Sequence, residues 1–202
     1  MKKTIWSPLV LGTLMGTLAG MTSVTGLLFI VPGTDSDNAI GIWMTLFLLA
    51  AALGGPLASL TAPILLLTIM LLYGSPDMKA LLSDPSVYWT NLFVVGMLML
   101  LVSFAYRMIF ERVKMPLRLA FWAGIVIAVY LINSPANLIL QYYLHEEVGV
   151  LPAILGAYRV YLPQAIFDII ITSLVFIALP ARYTRPLWYE TKPMVLPTED
   201  IA

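Results

Sequence analysis

"AIGIWMTLFLLAAALGGPLASLTAPILLLTIMLLY", residues 39–73, carries no charged side chain anywhere along its length. A membrane-spanning helix needs about 20 apolar residues, so the run is too long for one crossing. Its middle decides the fold. Gly54, Gly55 and Pro56 interrupt the run, and proline both removes a backbone donor and clashes with the preceding turn. The stretch therefore reads as a hairpin of two helices, about 39–53 and 57–73. No charge marks the turn, so two geometries are open. Either both arms cross fully, or the pair is re-entrant and covered by the rest of the protein, where irregular backbone is tolerated.

The whole chain supports a membrane setting. Of 202 residues 60% are hydrophobic and only 11% are charged, and the mean hydropathy is +0.92. Soluble domains carry about 25% charged residues, so most of this surface faces something other than water. Formal net charge is zero, which gives nucleic acid nothing to bind. The absence of cysteine excludes disulfides and thiolate chemistry. No phosphate-binding loop, GxSxG elbow or HExxH pattern is present, so the expectation is a non-enzyme without a cofactor.

Working outward from the hairpin, the first apolar run is about 6–31, behind "MKK". A signal peptide has an apolar core of about 7 to 15 residues; this run is longer and reads as a retained span. "GSPDMKALLSDPS", 74–86, reads as a loop, and further spans follow at about 90–109, 118–138 and 161–180. "QYYLHEEVGVLPAILGAYR", 141–159, reads as a loop at the membrane interface. The expected fold is all-α: a compact bundle of six membrane helices over residues 1–181, followed by a short, mobile tail at 182–202.

Positive charge tests the count. With six crossings, Lys2, Lys3, Arg107, Arg112, Lys114, Arg118, Arg182, Arg185 and Lys192 fall on one side, nine of the eleven basic residues. Cytoplasmic loops collect Lys and Arg, so that side is read as cytoplasmic, with both termini on it, in a bacterial-type cell membrane. Counting the hairpin as one crossing would put "RMIFERVKMPLR", 107–118, outside; the charge pattern rejects it. That basic segment reads as a topology signal that also meets anionic lipid headgroups.

Asp168 lies inside "LPQAIFDIIITSLVF", 162–176, roughly 8 Å below the outer end of the last span at 1.5 Å per residue. Ionisable groups at such a depth usually face the bundle interior or a wet cavity. Gln164, Asp168 and Thr172 are spaced i, i+4, i+8, which aligns them on one stripe. In the preceding span, Asn133 and Asn137 of "INSPAN" share a face at the same depth. Two polar stripes at one level imply a ligand-binding polar cavity open to the outside, with Tyr142, Tyr143, Tyr158 and Tyr161 at its rim. The competing reading is that the amides and the carboxyl only hold helices together.

Gly12, Gly16 and Gly20 form a repeated small-xxx-small stripe on the first span, suited to close contact with a partner helix, within the chain or outside it. His145, Glu146 and Glu147 are too few to make a metal site, which needs three or four converging ligands including more histidines than one. No metal is expected.

Residues 37–67 resemble the LytS-type five-transmembrane sensor domain. Asn38, Gly41, Gly54, Gly55 and Pro56 match its Asn-containing lead, small-residue helix and Gly-Gly-Pro turn. That resemblance implies a sensor acting on an effector. The overall plan is also similar to the S components of energy-coupling-factor vitamin transporters. Those are compact six-helix proteins that bind a small molecule near the outer face and dock on a transmembrane coupling subunit with ATPases. The similarity implies that Gly12, Gly16 and Gly20 contribute to docking. About 20 residues follow the last span, fewer than an effector domain of about 50 residues or more needs, so the S-component plan is the preferred expectation. A structural subunit of a membrane complex is the third.

Overall fold

The computed structural model describes residues 6–25, 28–30, 39–145, 150–179, 184 and 186. It is helical apart from one small antiparallel pair. Helix α1 (Trp6–Val24) leads to strand β1 (Leu28–Ile30), which pairs with β2 (Ala39–Gly41), Leu28 opposite Gly41. Helix α2 (Trp43–Leu49) then runs into a π-helical stretch, Ala50–Gly54, followed by α3 (Gly55–Tyr73). Helix α4 (Pro76–Ser83) is short; α5 (Pro85–Arg112), α6 (Leu117–His145) and α7 (Val150–Ala178) are long.

The stretches Ser7–Val24, Trp43–Tyr73, Pro85–Arg112 and Tyr161–Ala178 are long and apolar enough to cross a membrane, and Leu117–Asn133 is a shorter apolar helix. The chain is an integral membrane protein. Helix α7 makes the point residue by residue. Leu162, Ile166, Ile170 and Leu174 are exposed, while Gln164, Asp168 and Thr172 are buried. An apolar outside around a polar inside is the arrangement a lipid solvent selects.

The break in the 39–73 run is a true reversal. Gly55 takes φ 74° and ψ −158°, a region open to glycine because it lacks a Cβ. Pro56 follows at the first turn of α3, where its missing N–H is no loss. Gly54 packs beside Pro8 and Leu11 of α1, whereas Trp43, at the other end of the same arm, shares a cavity wall with Ser23. The arm from Trp43 to Gly54 is therefore antiparallel to α1, and α3 returns parallel to it.

The glycine stripe sits in that parallel contact. A Cβ on Gly12 would meet Ala58 Cα at 2.7 Å, on Gly16 the Ala62 carbonyl oxygen at 2.5 Å, and on Gly20 Ile69 Cβ at 2.8 Å. The partner helix of Gly12, Gly16 and Gly20 is α3 of the same chain, which leaves this face no room for a docking subunit.

Several expected boundaries move. Residues 39–41 were expected to open a helix but form β2, because β1 takes up their backbone groups. The expected loop 74–86 contains α4, which starts on Pro76 and buries Leu82. Asp84 then caps α5, its Oδ1 accepting from the Ser86 amide at 2.8 Å. The expected interface loop 141–159 is helical up to His145 and again from Val150. Hydropathy marks where apolar surroundings end, and a helix is free to continue past that point.

At the end of the bundle opposite α4, Arg118 donates to the carbonyls of Val113 and Phe110, at 3.0 and 3.4 Å, closing the end of α5. Tyr106, Trp122 and Phe176 stack nearby, with centroids 5.0–5.4 Å apart. Tyr106 donates to the Thr184 carbonyl at 3.0 Å. Thr184 and Pro186 are buried, so the start of the tail lies against the bundle; most of the tail that was expected to be mobile falls outside the described residues.

Candidate functional site

Asp168 is fully buried, on the inward stripe of α7. Its Oδ1 accepts from the Thr45 hydroxyl of α2 and from Gln164 Nε2 at 3.1 Å. Its Oδ2 accepts from the Tyr130 hydroxyl of α6. All three donors are neutral, and no lysine or arginine among the described residues forms an ion pair with it. The carboxyl thus joins three helices, and its hydrogen-bonding capacity is largely taken up by protein.

The rest of the stripe is equally committed. Gln164 exchanges two hydrogen bonds with the Gly41 backbone: Gly41 N donates to Oε1 at 2.8 Å, and Nε2 donates to Gly41 O at 2.7 Å. Thr172 donates to the Asp168 carbonyl at 2.5 Å and accepts from Trp122 Nε1 at 2.7 Å. Indole N–H is a donor only. The polar column therefore stops at Trp122 as a path for protons, and it continues only as packing into the aromatic cluster.

A cavity of ≈ 390 Å³ lies beside this network, at the α4 end of the bundle. Trp43 and Phe47 of α2, Leu82 of α4, Asn91 of α5, Asn133 of α6 and Tyr161 of α7 contribute to its wall. The residue spacing follows from the helices: Trp43 and Phe47 are one turn apart, flanking Thr45, which points the other way to Asp168. The Tyr130 ring held by Asp168 packs against Tyr161 at 6.1 Å. Asp168 thus steadies two cavity walls without being one.

Of the residues expected to bind ligand, Asn133 is buried on the cavity wall. Gln164, Asp168 and Thr172 come together as expected, but toward α2 and α6 rather than into the cavity. The side chain of Asn137 lies outside the described residues, as do those of Tyr142, Tyr143, His145, Glu146 and Glu147. Tyr161 is at the cavity, and Tyr158 donates to the Leu131 carbonyl at 3.1 Å. Sequence reasoning missed Trp43, Phe47 and Asn91. Asn91 carried the one usable signal, a carboxamide near the start of an apolar helix. Among the described residues no cluster of His, Cys, Asp or Glu is able to hold a metal.

No protein-family model, no curated protein and no solved structure matches this chain.

Proposed function

We propose that this chain is the small-molecule-binding subunit of a membrane transporter, similar in plan to the S component of an energy-coupling-factor system. In this reading it crosses a bacterial-type plasma membrane six times, with both termini cytoplasmic and the α4 end facing out. The two arms around Gly55, together with α1, α5, α6 and α7, supply the crossings. A separate transmembrane coupling subunit and its ATPases would drive release, docking on a surface other than the Gly12–Gly20 face.

The observation that carries the reading is the ≈ 390 Å³ cavity between the helices. Small-ligand sites span about 300–1,000 Å³, mostly apolar with a few convergent polar groups. Asn91, Asn133 and Tyr161 are such groups. The charge asymmetry supports an outward-facing position for this end of the bundle, where a substrate would arrive. A LytS-like sensor would use the same cavity and a separate effector; the Gly54-Gly55-Pro56 reversal is the feature that favours it.

A thermal-shift screen of the full chain against vitamins and metabolites, charged and uncharged, tests the reading. A ligand that binds only the folded state raises its melting temperature, by about 2.7 kcal/mol of stabilisation at a hundredfold excess over Kd. The shift should disappear in Val95→Phe, which fills the cavity, and weaken in Asn133→Ala. A shift that survives both changes moves the binding site elsewhere.

A further inference from the structure

Resting on that reading of the cavity, we infer that its ligand is an uncharged, largely apolar, ring-bearing molecule with one or two neutral hydrogen-bonding groups. Charge is the first argument. The described lining residues include no Asp, Glu, Lys, Arg or His. The buried acid near the cavity, Asp168, is engaged by Thr45, Tyr130 and Gln164. Among the described lining residues an ionised ligand would find no counter-charge, and unpaired charge in such surroundings is strongly penalised.

Shape is the second. Trp43 meets Phe47 edge-on, with centroids 5.9 Å apart, and Tyr161 leans on Tyr130 at 6.1 Å. Trp43 and Tyr161 come from α2 and α7, which are tied together through Thr45–Asp168 and Gly41–Gln164. Their separation is therefore fixed by hydrogen bonds. Two held aromatic walls favour offset or edge contacts with a ring over contacts with a flexible chain. Third, the polar groups that reach the wall are carboxamides and hydroxyls, which donate and accept without charge. They suit a carbonyl, lactone or ring N–H.

Matched neutral and anionic bicyclic compounds test the inference on the full chain in lipid nanodiscs. One pair is menadione and 2-hydroxy-1,4-naphthoquinone, the latter an anion at neutral pH; quenching of tryptophan fluorescence reads both. The chain has no cysteine, so the quinones form no thiol adduct. The other pair is coumarin and coumarin-3-carboxylate, read by thermal shift. Saturable binding by at least one neutral compound is expected, with its anion about tenfold or more weaker. It should be lost in Val95→Phe or, where that variant does not fold, in Met70→Phe. Equal or tighter binding of the anion in either pair overturns the inference, and so does the absence of saturable, cavity-dependent binding by both neutral compounds. An anion displaced by the filling variant would leave the small-molecule-binding reading standing, because it would still be a cavity ligand. That broader reading falls separately, if hits of the metabolite screen ignore the filling variants.

Discussion

Gln164 and Gly41, 123 positions apart in the chain, are joined by two hydrogen bonds between a side-chain amide and a backbone unit. The amide completes the outer edge of β2 as a neighbouring strand would, and so fixes the start of α2 against α7. Gln164→Leu removes both partners and leaves a buried backbone donor and acceptor unpaired. The expected loss is about 1–3 kcal/mol, read as a lower melting temperature in detergent. Gln164→Glu keeps an acceptor for Gly41 N, but it can donate to Gly41 O only as the neutral acid, and ionised it sets a second carboxylate beside Asp168, so it should also destabilise, more so at high pH. Wild-type stability in both variants would remove the amide as the tie.

Asp168 makes a graded prediction. Asp168→Asn retains an acceptor oxygen for Thr45 and Gln164, and the Tyr130 hydroxyl can rotate to accept from the new amide. Asp168→Leu takes the carboxyl acceptor from the Thr45 and Tyr130 hydroxyls, while Gln164 Nε2 keeps only its bond to Gly41 O. Individual interhelical hydrogen bonds in membranes average about 0.6 kcal/mol, so Asn should cost about 1 kcal/mol or less and Leu ~2 kcal/mol or more. Ligand binding in Asp168→Asn should remain within a few-fold of wild type. Loss of all binding in a stable Asp168→Asn protein would mean that the carboxyl meets the ligand directly.

The glycines offer a paired test of close packing. Gly16→Ala places a methyl 2.5 Å from the Ala62 carbonyl oxygen, and since that atom is backbone, α1 and α3 must separate. Gly124 on α6 has nothing within 4 Å of its would-be Cβ. Gly124→Ala should be neutral or stabilise by up to about 1 kcal/mol through helix propensity. Gly16→Ala should destabilise despite the same gain. Equal melting temperatures for the two variants would contradict the α1–α3 contact.

How much of this was legible in the sequence depends on range. The Gly54-Gly55-Pro56 reversal and the inward stripe of Gln164, Asp168 and Thr172 follow from local spacing, and both appear as read. What spacing does not carry is the identity of distant partners. Nothing in "IWMTLF" marks Thr45 as a donor to a carboxyl 123 positions away, or Trp43 and Phe47 as cavity walls. Placing polar stripes at one depth suggested that Asp168 faced a cavity. Depth alone does not say which side of the helix meets the cavity and which meets α2. Helix α4 was missed because its eight residues mix charge and apolar groups without the length of a span.

Topology is the remaining prediction, and the absence of cysteine makes it direct. Ser75, between α3 and α4, and Lys114, between α5 and α6, are both exposed and lie at opposite ends of the bundle. Nine of the eleven basic residues fall on the Lys114 side when the Gly55 reversal counts as two crossings, and that side should be cytoplasmic. Ser75→Cys in intact cells should therefore react with a membrane-impermeant maleimide, and Lys114→Cys should react only after the membrane is opened. A re-entrant hairpin preserves the same parity, so this pair does not distinguish it; a third cysteine does. In the full crossing Gly54, beside Pro8, lies near the cytoplasmic end of α1, and Pro8→Cys marks the same level while sparing the reversal. Protection of Pro8→Cys from outside, with labelling from inside, fits arms that span. Labelling of Lys114→Cys in sealed cells would overturn the six-crossing arrangement and its re-entrant variant together, because both keep the basic segment 107–118 in the cytoplasm.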